Sequence, residues 1–348
     1  MEFAKRIDVG GFIISETSPV FIIAEAGVNH GGDIAVAKRL IDVAAEAGAD
    51  AVKFQAFRTE QLILENVAKA PYQQKTTEAD ESQFSMLKKL EMTNRQNLEL
   101  RDYCRQRGIL FLTTPFDEVS LDELDELDLP AYKVASTDLT NLPLLEKIAA
   151  KQKPIFLSTG MSYLAEVELA LACLAPINSQ VVLLQCSANY PIADEDANLN
   201  VLKTYRRNFD VLLGYSDHSV GIGAAPYTLP LGAKVVEKHF TLDKSETGPD
   251  HSASLDPDEL REFVRTVRRV EAFLGDGIKS PSLAESRTRK SLQKYFVARR
   301  PIRAGEPFSD ENLLAKRTGG AGISPIYRQA LIGQPAPRDF REDEVIEL

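Results

Sequence analysis

The chain has 348 residues, 44% of them hydrophobic, which is enough for one large domain and a smaller one with ordinary cores. A formal net charge of −10 excludes non-specific nucleic-acid binding, because a phosphate backbone needs a basic face, and no stretch is apolar for long enough to cross a bilayer. The opening Met1-Glu2-Phe3-Ala4-Lys5-Arg6 lacks the apolar core of a signal peptide, and three cysteines without zinc-type spacing suit a reduced cytoplasm.

Short β-branched runs then alternate with segments of helical period. The first strand is predicted over 20–26, followed by a helix over 34–47 between Asp33 as N-cap and Gly48 as stop. A second strand covers 51–57. Residues 60–91 break the alternation: they are polar and rich in Gln, Lys and Thr, and read either as a loop with a short helix over the barrel mouth or as a surface excursion. A helix over 95–106 ends at Gly108, and strands follow over 109–115, 131–136, 154–159, 181–187, 211–216 and 234–240. A last helix, 258–273, starts near Asp256 and ends at Gly275. Eight such units in about 275 residues match a (β/α)8 TIM barrel; the alternative, an open doubly wound sheet, lacks a glycine-rich fingerprint after its first strand. The expected division is a catalytic barrel over 1–276, a linker over 277–290 and a small β-rich module over 291–348 that would be marginal alone.

Active sites of such barrels lie at the C-terminal strand ends. Those ends carry Glu25; Lys53 and Gln55, two apart and on one face; Thr114; Lys133 and Ser136; Ser158; Cys186 and Tyr190; Ser216 and His218; and Glu237 with His239. Taken singly each has a plain reading: a snorkelling lysine, a helix-capping hydroxyl, a core histidine, a packed cysteine. A closed barrel has no edge strand, however, so Lys53 and Lys133 are expected inside and in need of an anionic partner. Two lysines with the hydroxyls of Thr114, Ser136, Ser158 and Ser216 suit a phosphate. His218 and His239 suit Mn2+, Co2+ or Zn2+ with open positions for a substrate oxygen, and Glu25 can accept a proton. Joining an enol phosphate to a carbonyl compound is the chemistry this combination suggests.

In order along the chain, Glu25-Ala26-Gly27-Val28-Asn29-His30, Val52-Lys53-Phe54-Gln55, Thr113-Thr114-Pro115-Phe116, Tyr132-Lys133, Ser158-Thr159-Gly160-Met161, Tyr215-Ser216-Asp217-His218, Glu237-Lys238-His239-Phe240 and Gly248-Pro249-Asp250-His251 resemble the sialic acid synthase family. Arg303-Ala304-Gly305-Glu306 and Lys316-Arg317 resemble the antifreeze-like (SAF, β-clip) domain that follows the barrel there. The resemblance implies condensation of phosphoenolpyruvate with an N-acetylated amino-sugar aldehyde of the N-acetylmannosamine type, or a 2,4-diacetamido hexose leading to legionaminate. It implies His218 and His239 as ligands of a divalent metal, Mn2+ first with Mg2+ or Co2+ as alternatives. Lys53, Thr114, Lys133, Ser136, Ser158 and Ser216 would hold phosphoenolpyruvate, and Glu25 would move a proton at the tetrahedral centre. Gln55, Tyr190 and Asp250 would contact the sugar, and Arg317 would reach the sugar of a neighbouring copy in a domain-swapped homodimer. One position departs from the family's pattern: Ala188 stands where many bacterial members carry Asn, two residues before Tyr190. A Schiff-base aldolase using Lys53 or Lys133 and a non-catalytic sugar binder are the competing classes.

Overall fold

The computed structural model describes residues 1–70, 74, 77 and 81–347. Two compact units divide the chain, Met1–Gly275 and Asp276–Leu348.

In the first unit a hairpin, β1 (Arg6–Val9) and β2 (Phe12–Ser15), precedes eight parallel strands. These are β3 (Phe21–Gly27), β4 (Ala51–Ala56), β5 (Leu110–Pro115), β6 (Tyr132–Val134), β7 (Ile155–Ser158), β8 (Val181–Cys186), β9 (Leu212–Asp217) and β10 (Ala233–His239). Ladder hydrogen bonds run in the order β5-β4-β3-β10-β9-β8-β7-β6, and β6 lies beside β5, so the sheet curls into a nearly closed (β/α)8 barrel. All eight expected strands are present within a residue or two of their predicted ends. The predicted helices lie at Ile34–Ala47, Asn94–Arg107 and Pro257–Leu274, with Asp33, Thr93 and Asp256 accepting the first free N–H groups. One crossover differs: Pro226 and Pro230 keep the connection from β9 to β10 as a 3-10 segment, Ala225–Leu231, in place of an α-helix.

Alternation along the strands gives the barrel interior two storeys. At the N-terminal end the inward side chains are apolar, among them Phe21, Ile23, Leu112, Phe156, Val182 and Val235, and Ile7, Val9 and Ile14 of the hairpin pack into them as a plug. At the C-terminal end the same faces turn polar. The hairpin was not among the predicted elements; its Gly10-Gly11 turn, with φ of 60° and 95°, is the signal that marks it. Helix Thr59–Leu62 leads into the 60–91 segment, which contains helix Gln83–Leu90, and Leu62, Ile63 and Leu87 reach the cavity described below; residues 71–73, 75, 76 and 78–80 fall outside the described set.

In the second unit β11 (Lys294–Ala298) pairs antiparallel with β12 (Leu313–Arg317) over a small core that includes Phe296, Phe308, Leu331, Phe340 and Ile346. Within and just beyond residues 277–290, expected as a linker, Leu283–Leu292 forms a helix. None of its residues is buried, so it lacks the apolar stripe by which a helix is read from sequence. Among the described residues no helix is long and apolar enough to cross a membrane.

Candidate active site

A cavity of about 630 Å³ opens at the C-terminal end of the barrel strands. Twelve of the thirteen predicted site residues line it: Glu25, Lys53, Gln55, Thr114, Lys133 and Ser136 from the first half of the barrel, and Ser158, Tyr190, Ser216, His218, His239 and Asp250 from the second. Arg317 is the exception; it belongs to the second unit, at the exposed end of β12.

The lysines project inward from β4 and β6 and are almost fully buried. Lys53 Nζ lies 2.7 Å from Glu25 Oε2 and 3.7 Å from Glu237 Oε2, and donates to Thr114 Oγ1 at 3.1 Å. Lys133 Nζ lies 3.7 Å from Glu237 Oε1 and donates to the Val134 carbonyl at 3.1 Å. The anionic partner that the sequence demanded is therefore supplied by the protein itself. Glu237, noticed in sequence only as sharing a face with His239, bridges both ammonium groups and accepts from Ser216 Oγ at 2.8 Å.

The electrostatics separate the carboxylates. Burial raises the Glu25 carboxyl to about 7, outweighing the pull of Lys53, so near neutrality it can take or give a proton. Burial alone would raise Glu237 too, but Lys133 and Lys53 together bring it down to about 2. Burial also lifts Asp250 to about 6. Desolvation lowers the Lys53 pKa, yet Glu237 and Glu25 overcome it and raise the value, which keeps this group an ammonium rather than an amine nucleophile.

The imidazoles of His218 and His239 lie 5.5 Å apart between ring centroids, and Tyr190 packs 4.0 Å from the first and 5.4 Å from the second. The Ser187 carbonyl, 2.7 Å from His218 Nδ1, can only accept, so that nitrogen carries a proton, and Cys186 with the Ser187 carbonyl raises the His218 pKa against the effect of burial. Buried His239 Nδ1 has no hydrogen-bond partner and sits 4.0 Å from Asp250 Oδ2. Burial and the neighbouring His218 lower the His239 pKa well below its ordinary value, favouring the neutral ring that a metal requires. Metal–nitrogen bonds of about 2.1 Å place two ring centres up to roughly 6.5 Å apart, so the pair fits one divalent ion. Among the described residues no group of three or more His, Cys, Asp or Glu could by itself hold a metal ion. Cys186, read from sequence as packing, is buried with Sγ 3.7 Å from His218 Nδ1.

Backbone and loop details hold the rim. Gly27 has φ of 52°, and a Cβ there would stand 3.3 Å from Glu25 Oε1 and 3.4 Å from Asp250 Oδ2, inside the space those groups face. Asn29 Nδ2 donates to the Phe240 carbonyl and to Ser254 Oγ, which in turn donates to the Asp250 carbonyl at 2.7 Å. Ala188 and Asn189 both line the cavity beside Tyr190.

A family model described as the NeuB family matches residues 40–279, and one described as the SAF domain matches residues 293–348. The N,N'-diacetyllegionaminic acid synthase of Campylobacter jejuni is 44% identical over 93% of this chain and 98% of its own length. The N-acetylneuraminate-9-phosphate synthase of Mus musculus is 39% identical over 94% of this chain and 91% of its own. Among solved structures, the N-acetylneuraminic acid synthetase of Leptospira borgpetersenii, in complex with citrate, matches with a TM-score of 0.74 at 35% identity, covering 84% of this chain and 98% of that one.

Proposed function

The chain belongs to the NeuB family, and from that premise we propose that it condenses phosphoenolpyruvate with the open-chain aldehyde of an N-acetylated amino hexose. A carbon–carbon bond forms between the methylene carbon of the enol phosphate and the aldehyde carbon, water adds to the enol carbon, and the carbon–oxygen bond to phosphate breaks. The products are a nine-carbon 2-keto acid and phosphate. The observation that supports this most is the meeting, in one cavity, of the Lys53–Lys133 cluster with the paired imidazoles.

Lys53 and Lys133 face the phosphate and carboxylate of the donor, with Thr114, Ser136, Ser158 and Ser216 as hydroxyl partners. Ser158 Oγ is buried with no hydrogen-bond partner, as a donor held for a ligand would be. Glu25 holds or releases the proton that moves as the tetrahedral centre forms and collapses. Gln55, Tyr190 and Asp250 orient the sugar. A divalent cation between His218 and His239, Mn2+ first with Mg2+ or Co2+ as alternatives, would polarise the aldehyde oxygen. The working unit is a homodimer in the cytoplasm, in which Arg317 of each copy reaches the sugar of the other.

An N-acetylmannosamine-type acceptor is the first reading. Identity to the legionaminic acid synthase, 44% against 39% for the 9-phosphate synthase, favours a 2,4-diacetamido hexose as the second.

The test is phosphate release from phosphoenolpyruvate with N-acetylmannosamine, its 6-phosphate and a 2,4-diacetamido hexose. Release should depend on the sugar, stop with EDTA and return with Mn2+. His239→Ala should melt as the native protein does while losing Mn2+ binding in equilibrium dialysis. Release that ignores EDTA, together with borohydride trapping of a pyruvate adduct on Lys53 or Lys133, would replace this reading by the Schiff-base class.

A further inference from the structure

Behind the two imidazoles, on the outer face of the same strands, lies a buried ion pair that the proposed chemistry does not use. Lys238 and Asp217 are register partners across β10 and β9, each one residue before a cavity histidine, and strand alternation turns them away from the cavity. Their side chains are 1% and 0% exposed, and Lys238 Nζ stands 3.3 Å from Asp217 Oδ2. Both then grip the turn that follows His218. Asp217 Oδ1 accepts from the backbone N–H and the hydroxyl of Ser219, its Oδ2 accepts from the Ala225 N–H at 2.9 Å, and Lys238 Nζ donates to the Ser219 carbonyl. Ser219 Oγ accepts from the Ala224 N–H at 3.0 Å. Gly223, at φ 66°, closes over the cluster so tightly that a Cβ would come within 2.3 Å of Ser219 Oγ, 2.6 Å of Lys238 Nζ and 2.7 Å of Asp217 Oδ2. His218 is therefore fixed by both chain neighbours to the residue adjoining His239.

A buried ion pair is a weak source of stability, since well-packed apolar residues of similar volume commonly do as well or better. Its geometry points instead to placement. We propose that the Asp217–Lys238 pair, with Ser219, is a positioning device that holds the His218 and His239 rings at the separation one divalent ion requires. This rests on the reading of those imidazoles as metal ligands. It acts through the backbone, so none of the three residues touches substrate or metal.

Mn2+ binding by the full chain, followed by electron paramagnetic resonance of free Mn2+, tests both layers separately. Replacing the whole pair, Asp217→Leu with Lys238→Met, removes the charges together and leaves no lone buried ion. This double variant should still melt cooperatively, while its Kd for Mn2+ rises about 10- to 100-fold, as for loss of groups that orient metal ligands. Its turnover should return at saturating Mn2+. Ser219→Ala, which leaves the ion pair whole and carries the test if the double variant does not fold, should raise Kd by about tenfold. Native Mn2+ affinity in Ser219→Ala and in a folded double variant overturns the positioning role alone. A native protein that binds no Mn2+, or binds it as well after His239→Ala, overturns the metal reading beneath it.

Discussion

Glu237 is the residue on which the charge balance of the cavity turns. It stands between Lys53 and Lys133, both buried, and its removal would leave two ammonium groups with Glu25 as the remaining carboxylate beside Lys53. Breaking a buried pair by deleting one partner costs about 3–5 kcal/mol. Glu237→Gln is therefore expected to destabilise the metal-free protein by roughly that amount in urea unfolding. Added phosphate should recover part of the loss by replacing the missing negative charge. An unchanged midpoint would mean that the lysines are balanced elsewhere. The sequence exposed the need for such a partner, because a lysine on an inward barrel position cannot stay unpaired. It did not single out Glu237, because strand alternation tells which face a residue shares but not which cross-barrel neighbour it meets.

At the scale of elements, periodicity was a reliable guide for the eight parallel strands and for the three helices read from it. Residues 34–47 show Ala37, Leu40, Ile41 and Ala44 on one stripe and end at Gly48 in the left-handed region, so pattern and cap agree. The Leu283–Leu292 helix has no such stripe and rests on its own local bonds. Ser282 and Glu285 form a capping box, with Glu285 N–H donating to Ser282 Oγ at 3.1 Å and Ser282 N–H to Glu285 Oε2 at 2.9 Å. Ser282→Ala should remove about 0.5–2 kcal/mol of helix stability. Because nothing packs on this helix in depth, the effect should appear as faster hydrogen exchange confined to the amides of 283–292, with barrel amides unchanged. The hairpin was missed for a different reason: each of its strands is only four residues long, too short for alternation to stand out.

For the molecule as a whole, the two units have separate cores and separate acid sensitivities. In the second unit, the Glu306 carboxyl is held at about 2, against an ordinary value of 4.5, chiefly by Arg300, with help from the Arg303 N–H and Asn312. A carboxyl whose folded value is depressed contributes stability that is complete above the unfolded value. That contribution is lost as pH falls from about 4.5 to about 2. Exchange protection of β11 and β12 should weaken across that window, and Glu306→Gln should flatten the dependence while leaving the barrel's own response to acid in place. A slope unchanged in the variant would assign the acid sensitivity to other carboxyls.

The polar upper storey of the barrel has one more effect. Because Glu25 and Glu237 already neutralise the ammonium groups, an incoming anion does not fall into an empty positive well; it must compete with resident carboxylates for the same donors. Net attraction is smaller than two bare lysines would give, and so is the hold on whatever anion is left after reaction. A departing group is exchanged for an internal counterion within reach, so vacating the cavity strands no charge against the apolar layer below.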